Sequence, residues 1–331
     1  MLASTWVKNG CDSIYLVTPN ALVRQAWAKG EVTLNHQTLS LGLPEEQLLT
    51  RIEEAPCCFD LAFLAVQPDQ LAPSLEALVP HLAPGAEVVT LTNGLCDEQV
   101  SRAVGVEQAI GAVVMWGARM PKPGHYLRTS AGGFVVGKLA GAQQPISLVA
   151  SELLAQIGEV RTTQNLLGAR FSKLALNAAI STLGTIGGET LGQLLLRQPC
   201  RKLALGIVDE AVRVAHAEGI HLESVTPLDM EWLAQGLRSG ALGRWLRHMS
   251  LLMVGFRYRR LRSSMLAAVE RGRAPAVDYL NGEIVRRGEL ARVPTPLNAA
   301  AQELVWSIAR GQTQAGPTAL YSLAQGASAS T

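Results

Sequence analysis

The apolar and polar positions follow two regimes that meet near residue 163. Before it, short β-rich runs alternate with helix-like segments. Residues 13–17 (SIYLV) read as a strand closed by Pro19, and residues 21–29 as a helix ended by Gly30. Residues 32–41 carry the alternation of one or two short strands, and residues 45–55 read as a charged helix. The run LAFLAV at 61–66 suits a parallel strand covered on both faces. A helix over 71–82 follows, then a Pro-Gly turn, a strand at 87–91, a short helix, a strand at 109–115, and two hairpin-like strands around Tyr126 and 134–136. Strands alternating with helices predict an open α/β sheet with right-handed crossovers, in which ligands sit beyond the carboxyl ends of the strands.

After a helix near 147 and a short strand at 159–163, the signals become almost wholly helical. Residues 165–188 (NLLGARFSKLALNAAISTLGTIGG) read as one long helix, apolar nearly all round, with Lys173, Asn177 and Ser181 at four-residue steps on one face. An ammonium on a helix destined for burial needs a partner or a purpose, because unpaired burial costs several kcal/mol or forces the pKa down. The commoner reading of an isolated lysine in this position is structural, its head extended to solvent along a polar seam. Further helices are expected over 199–218, 227–236, 242–260, 276–287 and 296–310. Residues 312–331 are rich in small polar residues and Ala, with a tail expected to fray.

Composition narrows the class. The chain has 331 residues, 48% of them hydrophobic and 17% charged, enough for two globular domains divided as 1–163 and 164–331. Its net charge of +2 and its one short basic cluster, Arg257 to Arg262, do not point to nucleic acid. Five cysteines without CxxC spacing suit reduced thiols in a cytoplasm, and the six scattered histidines form no metal-ligand motif. No apolar run approaches the ~18 residues that span a bilayer, so no membrane role is expected. A helical second domain with open apolar faces is compatible with a homodimer.

Three segments carry a resemblance. They are LTNGL at 91–95, KLALNAAIS at 173–181, and SSMLAAVERGRAPAVDYLNGEIVRRGELARVPTP at 263–296, the last with a serine pair, ERGR, D-x-x-N-G and V-P-T-P in order. Together they resemble the ketopantoate reductase (2-dehydropantoate 2-reductase) family over nearly the whole chain. The resemblance implies a Rossmann-type N-terminal domain for NADPH, an all-helical C-terminal domain and a substrate cleft between them. It also implies reduction of a small 2-oxo acid, 2-dehydropantoate, to (R)-pantoate on the way to pantothenate and coenzyme A. Hydride delivery builds negative charge on the ketone oxygen and calls for an acid aimed at it. The resemblance gives that role to Lys173, substrate contacts to Asn93, Asn177, Ser181 and Ser264, and cofactor contacts to Gln67, Asn93 and Gly94. By themselves, Asn93 reads equally well as a left-handed turn residue beside Gly94, and Ser264 as a helix N-cap.

The departures from the pattern are as informative. The family's opening strand and G-x-G-x-x-G turn, which admit the cofactor pyrophosphate, have no counterpart; residues 2–17 look like the helix and second strand that normally follow that turn. Loss of a central strand would expose two sheet edges, which leads to the expectation of a translation start upstream of Met1. The basic residue expected after the second strand falls at Thr18, with Arg24 nearby on the next helix; a lysine falls at Gln67, an asparagine at Leu261, and the substrate-binding glutamate at Ala276. Asp278 would lie about 200° from Ala276 around an α-helix. Two readings stay open: an NADPH-dependent reductase of 2-dehydropantoate or another 2-oxo acid, and a paralogue that has lost turnover and acts as a binding or structural protein. A Rossmann dehydrogenase of other chemistry leaves the third segment unexplained.

Overall fold

The computed structural model describes residues 1–329 except Asp12, Ser40, Pro227 and residues 235–239. The chain divides into two compact units, one of Met1–Thr92 with Cys96–Leu166 and one of Asn93–Leu95 with Leu167–Thr331.

Unit 1 is α/β. Helix α1 (Leu2–Lys8) leads to strand β1 (Leu16–Val17) and helix α2 (Ala21–Ala28), whose N-cap Asn20 accepts the backbone N–H groups of Leu22 and Val23. Strands β2 (Val32–Leu34) and β3 (Gln37–Leu39) form a hairpin with Asn35 and His36 left-handed at its tip. After β4 (Leu48–Leu49) come β5 (Phe59–Leu64), α3 (Leu71–Leu78), β6 (Leu82–Thr90), α4 (Asp97–Val104) and β7 (Ala109–Val114). Then follow β8 (Ala118–Lys122), β9 (His125–Arg128), β10 (Phe134–Gly137), α5 (Leu148–Ala155) and β11 (Val160–Thr162).

These strands build three sheets: β1–β4, parallel; β11–β10–β7–β6–β5; and β3–β2–β9–β8. Strands β5, β6 and β7 are mutually parallel, as the sequence pattern requires, and β10 returns antiparallel to β7. Among the described residues strand β1 pairs with β4 alone, and β5 is an edge of the five-stranded sheet. Rings pack onto β5 from this side: Tyr15, just before β1, meets Phe59 at 5.4 Å between centroids, and Trp6 of α1 meets Phe63 at 4.6 Å.

Unit 2 is helical. The long helix α6 (Leu166–Gly187) is followed by α7 (Leu191–Leu196), α8 (Gln198–Ala217), α9 (Met230–Leu233), α10 (Ala241–Arg257), α11 (Ser264–Val269), α12 (Asn281–Ala291), α13 (Pro296–Ala309) and α14 (Pro317–Ala329). One core joins Phe171, Leu174, Ala178 and Leu183 of α6 to Ile207 and Ala211 of α8, Ile284 of α12 and Val305 of α13.

Several expectations are corrected. Residues 45–55 are two 3₁₀ turns around β4, not a helix; adjacent buried Leu48 and Leu49 among more exposed neighbours fit a short strand better than a helical face. The Pro-Gly pair lies inside β6, where a register shift opposite Phe59–Leu61 accommodates it, Gly85 taking φ 81°. The strand around Tyr126 pairs with β8 and β2, not with β10. The helix expected over 276–287 begins as a 3₁₀ turn, Ala276–Tyr279, before α12. The expected helix over 227–236 is realised as α9, its anticipated ends lying outside the described residues. The C-terminal stretch is helical to Ala329, and residues 330–331 lie outside the described residues.

The D-x-x-N-G stretch of residues 278–282 resolves into structural roles. Asp278 accepts hydrogen bonds from Gln302 Nε2 at 2.7 Å and Trp306 Nε1 at 2.8 Å. Asn281, fully buried, accepts from Thr182 Oγ1 at 2.5 Å and donates to Asn298 Oδ1 at 3.0 Å and the Ala178 carbonyl at 3.3 Å. The Glu210 carboxylate closes this chain. It accepts the backbone N–H groups of Leu297 and Asn298, both at 2.9 Å, so that α8 caps the N-terminus of α13. Burial raises the Glu210 pKa, opposed by those hydrogen bonds. Replacing Asn281 by Ala strands Thr182 and Asn298 in the core. Urea unfolding should show a loss of about 1–3 kcal/mol, whereas Gln302→Ala, at the exposed Asp278 contact, should cost well under that.

Candidate active site

Helix α6 explains why Lys173 is where it is. From Leu166 to Gly187 every position is buried except Leu167 and the stripe Lys173, Leu176, Asn177, Ile180 and Ser181. Those five follow the i, i+3, i+4, i+7, i+8 spacing of one helical face. The polar seam foreseen from sequence is therefore the one open face of an otherwise enclosed helix. Leu176 and Ile180 flank it with apolar surface, which four-residue counting from Lys173 alone did not identify.

The Lys173 side chain keeps a partial opening to solvent, but protein surrounds its ammonium. Burial, and to a lesser degree the Arg170 guanidinium one turn earlier, itself buried, together lower its pKa from 10.5 to about 7. Arg170 was not anticipated; its i−3 spacing from Lys173 is the signal that could have found it. A lysine tuned to near-neutral pKa can both hold and release a proton at physiological pH.

The C-terminal end of the stripe meets α11. Ser263 is the N-cap of α11, its Oγ accepting the Leu266 N–H, and it donates to the Ser181 carbonyl at 2.8 Å. Thr185 Oγ1 lies 2.9 Å from the same Oγ. A Cβ added at Gly184 would stand 3.1 Å from Ser263 Cβ, so the small residue permits the close approach. The capping role weighed for Ser264 thus belongs to Ser263. Ser264 is left exposed in the first turn of α11, beside the residue anchored to Ser181.

Asn93 and Gly94 belong by their contacts to this same unit, with Leu95 packed against its core. Gly94 supplies the left-handed turn at φ 90°, while Asn93 has negative φ and is exposed. The turn-residue reading of Asn93 therefore falls away. Ala276 is half-buried at the start of its 3₁₀ turn and offers no polar side chain; Leu261 is exposed, its carbonyl accepting the Leu191 N–H.

In unit 1 the candidate cofactor residues stand at carboxyl ends of parallel strands. Gln67 is exposed just after β5, at the head of the 3₁₀ turn Pro68–Gln70. After β1, Thr18 continues the pairing to β4 through its N–H to the Leu49 carbonyl. Arg24 folds back from α2 so that Nη1 donates to the Thr18 carbonyl at 2.5 Å. A guanidinium therefore stands at the strand end where the side chain of Thr18 carries no charge. These strand ends thus present an amide side chain and a guanidinium, and the sequence has no G-x-G-x-x-G segment.

Comparison with known proteins agrees with this architecture. The model of the ketopantoate reductase PanE/ApbA family matches residues 4–141, and that of its C-terminal domain matches residues 165–309. The 2-dehydropantoate 2-reductase of Pyrococcus abyssi is 26% identical over 265 residues, 80% of this chain and 78% of that protein. Among solved structures, a PanE/ApbA family ketopantoate reductase from Ralstonia eutropha superposes with TM-score 0.74 at 23% identity, covering 94% of this chain and 95% of the other. D-mandelate dehydrogenase in a ternary structure with NADH and anilino(oxo)acetate gives 0.75 at 19% identity, with 94% of each chain covered. Both family models align in order along one chain, over segments that include the Lys173 helix and the 263–296 stretch, and the chain belongs to the ketopantoate reductase family, oxidoreductases acting on 2-oxo acids.

Proposed function

We propose that this chain reduces a 2-oxo acid with NADPH, 2-dehydropantoate to (R)-pantoate being the leading candidate reaction, and that Lys173 is its general acid. The observation that carries the reading is the single open stripe of α6, where a lysine with its pKa lowered to about 7 stands one turn from Asn177 and two from Ser181. A reduced nicotinamide supplies a hydride, and with it two electrons, to the carbonyl carbon. The chain's own contribution is the proton: Lys173 Nζ–H transfers it to the carbonyl oxygen, so the ketone becomes an alcohol and the lysine is left neutral until it recovers a proton from water. Asn177, Ser181, Asn93 and Ser264 offer hydrogen-bond donors to the substrate carboxylate and oxygen. Gln67 and Gly94 serve the nicotinamide end of the cofactor.

Ala276 bears on the substrate. With no carboxylate at that position, the site suits a 2-oxo acid that needs no acceptor there, so a panel of 2-oxo acids belongs beside 2-dehydropantoate in the assay. Arg24 bears on the cofactor. Its cation at the end of β1 matches the place where an arginine accommodates the 2′-phosphate of NADP in dinucleotide-binding sheets.

Three outcomes follow. Lys173→Ala should lower kcat/KM for NADPH-dependent reduction by about 10²- to 10⁴-fold while calorimetric NADPH binding is unchanged. If the chain binds no nicotinamide cofactor at all, the enzymatic reading fails. In the wild type, kcat/KM for reduction should be highest below pH 7 and fall tenfold per pH unit above it, because the acid is protonated only below its lowered pKa. A profile flat from pH 6 to 9 removes Lys173 from that role. Arg24→Ala should weaken NADPH binding by about 10- to 100-fold, the loss of one charge-assisted contact, and leave NADH binding within twofold.

A further inference from the structure

The open stripe of α6 is two rows of different chemistry. Lys173, Asn177 and Ser181 form one row, and Leu176 and Ile180, also four residues apart, form the row beside it, with about 6 Å along the axis between successive members of each. All five side chains are half-buried. Leu176 packs in part on the core of the unit, which fixes its place. Ile180 stands one turn before Gly184, where the missing side chain lets Ser263 approach, so the start of α11 closes the C-terminal end of both rows.

The polar row and Ser264 supply donors. An ammonium, an amide and two hydroxyls suit the three oxygens of a 2-oxo acid head, a carboxylate and a ketone. No carboxylate stands ready for a further hydroxyl. Helix α6 contains no Asp or Glu, and neither does the chain from Gly240 to Val269, which carries Ser263 and Ser264. The carboxylates next along the chain are engaged elsewhere: Glu189 with Arg197, Glu270 with Arg262, Asp278 with Gln302 and Trp306, and Glu283 with Arg286 and Arg287. A hydroxyl on the substrate's side chain would therefore meet Leu176 and Ile180, against which hydrocarbon is the group that gains by leaving water.

We propose that the substrate is selected by a branched hydrocarbon at the carbon next to its ketone, that Leu176 and Ile180 are the residues that select it, and that a side-chain hydroxyl contributes nothing to recognition. This rests on the reduction with Lys173 as acid put forward above and narrows its substrate class. With the ketone oxygen and the carboxylate held along the polar row, the third substituent of the planar carbonyl carbon is directed to the row alongside. A branched carbon there presents methyl groups to both apolar residues, whereas the single methyl of pyruvate has too little surface to do so. 2-Dehydropantoate meets the requirement through the two methyl groups on its branched carbon, not through its hydroxyl.

Steady-state oxidation of NADPH or NADH by the full chain tests this with pyruvate, 3-methyl-2-oxobutanoate, 3,3-dimethyl-2-oxobutanoate and 2-dehydropantoate, the last two differing by one hydroxyl. From pyruvate to 3-methyl-2-oxobutanoate, which adds two methyl groups, kcat/KM should rise about 10- to 100-fold. The 3,3-dimethyl compound should match 2-dehydropantoate within about tenfold, whereas a site built to hydrogen-bond the hydroxyl would reject it by about 10⁴-fold. Ile180→Ala and Leu176→Ala should each lower the ratio of kcat/KM for 3-methyl-2-oxobutanoate over pyruvate at least about threefold. That ratio is read within one variant, so any loss of folded protein cancels. A gain below about tenfold on branching, a 3,3-dimethyl compound more than about tenfold poorer than 2-dehydropantoate, or variants that keep the wild-type ratio each overturn the proposal and leave the reduction itself standing. If the chain reduces none of the four acids with either cofactor, the reduction fails and the selection falls with it.

Discussion

Enclosing a 22-residue helix on every side but one is the constraint from which the helical unit follows. Helix α6 has apolar residues nearly all round, so helices α8, α12 and α13 surround it, and Lys173, Asn177 and Ser181 lie on its one partly open stripe. That confinement gives Lys173 its chemistry. A lysine on an ordinary surface helix keeps its ammonium in water and titrates near 10.5. Packed into the only gap in this enclosure, and next to Arg170, it loses solvation and titrates near 7. The same enclosure needs internal polar groups to be satisfied. The chain of Thr182, Asn281, Asn298 and Glu210 does so, tying α6, α12, α13 and α8 into one register.

In the α/β unit the organising feature is where the parallel strands stop. The strand ends after β1, β5 and β6 each lead into a turn with polar side chains, Thr18, Gln67 and Asn93. Arg24 is drawn to one of these ends by a carbonyl left unpaired by the end of β1–β4 pairing. A cation not encoded on the strand is thereby delivered to it from the next helix. Trp6 of α1 and Tyr15 beside β1 pack on Phe63 and Phe59 of β5, so aromatic contact joins segments that backbone pairing does not.

Polar groups inside and apolar groups outside mark the two places where the helical unit departs from a simple amphipathic plan. Inside, each buried polar atom of the Asn281 network has a partner, which makes its burial affordable and fixes one packing. Outside, α10 exposes its apolar side and buries an arginine and a glycine. The first departure is satisfied by hydrogen bonds within the core, whereas the second leaves an apolar stripe on the surface of the unit.

Much of this was legible along the chain. Period 3.6 and unbroken apolar content located α6 to within a residue at each end, placed Lys173, Asn177 and Ser181 on a shared face, and separated an α/β half from a helical half; such signals are local and survive in any context. Short segments were not legible. Residues 45–55 and 276–279 look helical in composition, yet become a strand flanked by 3₁₀ turns and a 3₁₀ turn, because only pairing with β1 and packing against α13 distinguish them. On a 3₁₀ turn Ala276 and Asp278 lie about 240° apart rather than 200°, and Asp278 turns to Gln302 and Trp306. Nor could spacing say which of two adjacent serines would cap α11, since both could reach a free N–H and only the Ser181 carbonyl chose Ser263. By itself, then, the sequence determined which residues share a face, because helical and strand periods are properties of the backbone. Only the tertiary structure decided what covers each face, and with it the solvation of Lys173, the partner of Arg24 and the openness of α10, because desolvation and hydrogen-bond choice depend on atoms far away in the chain.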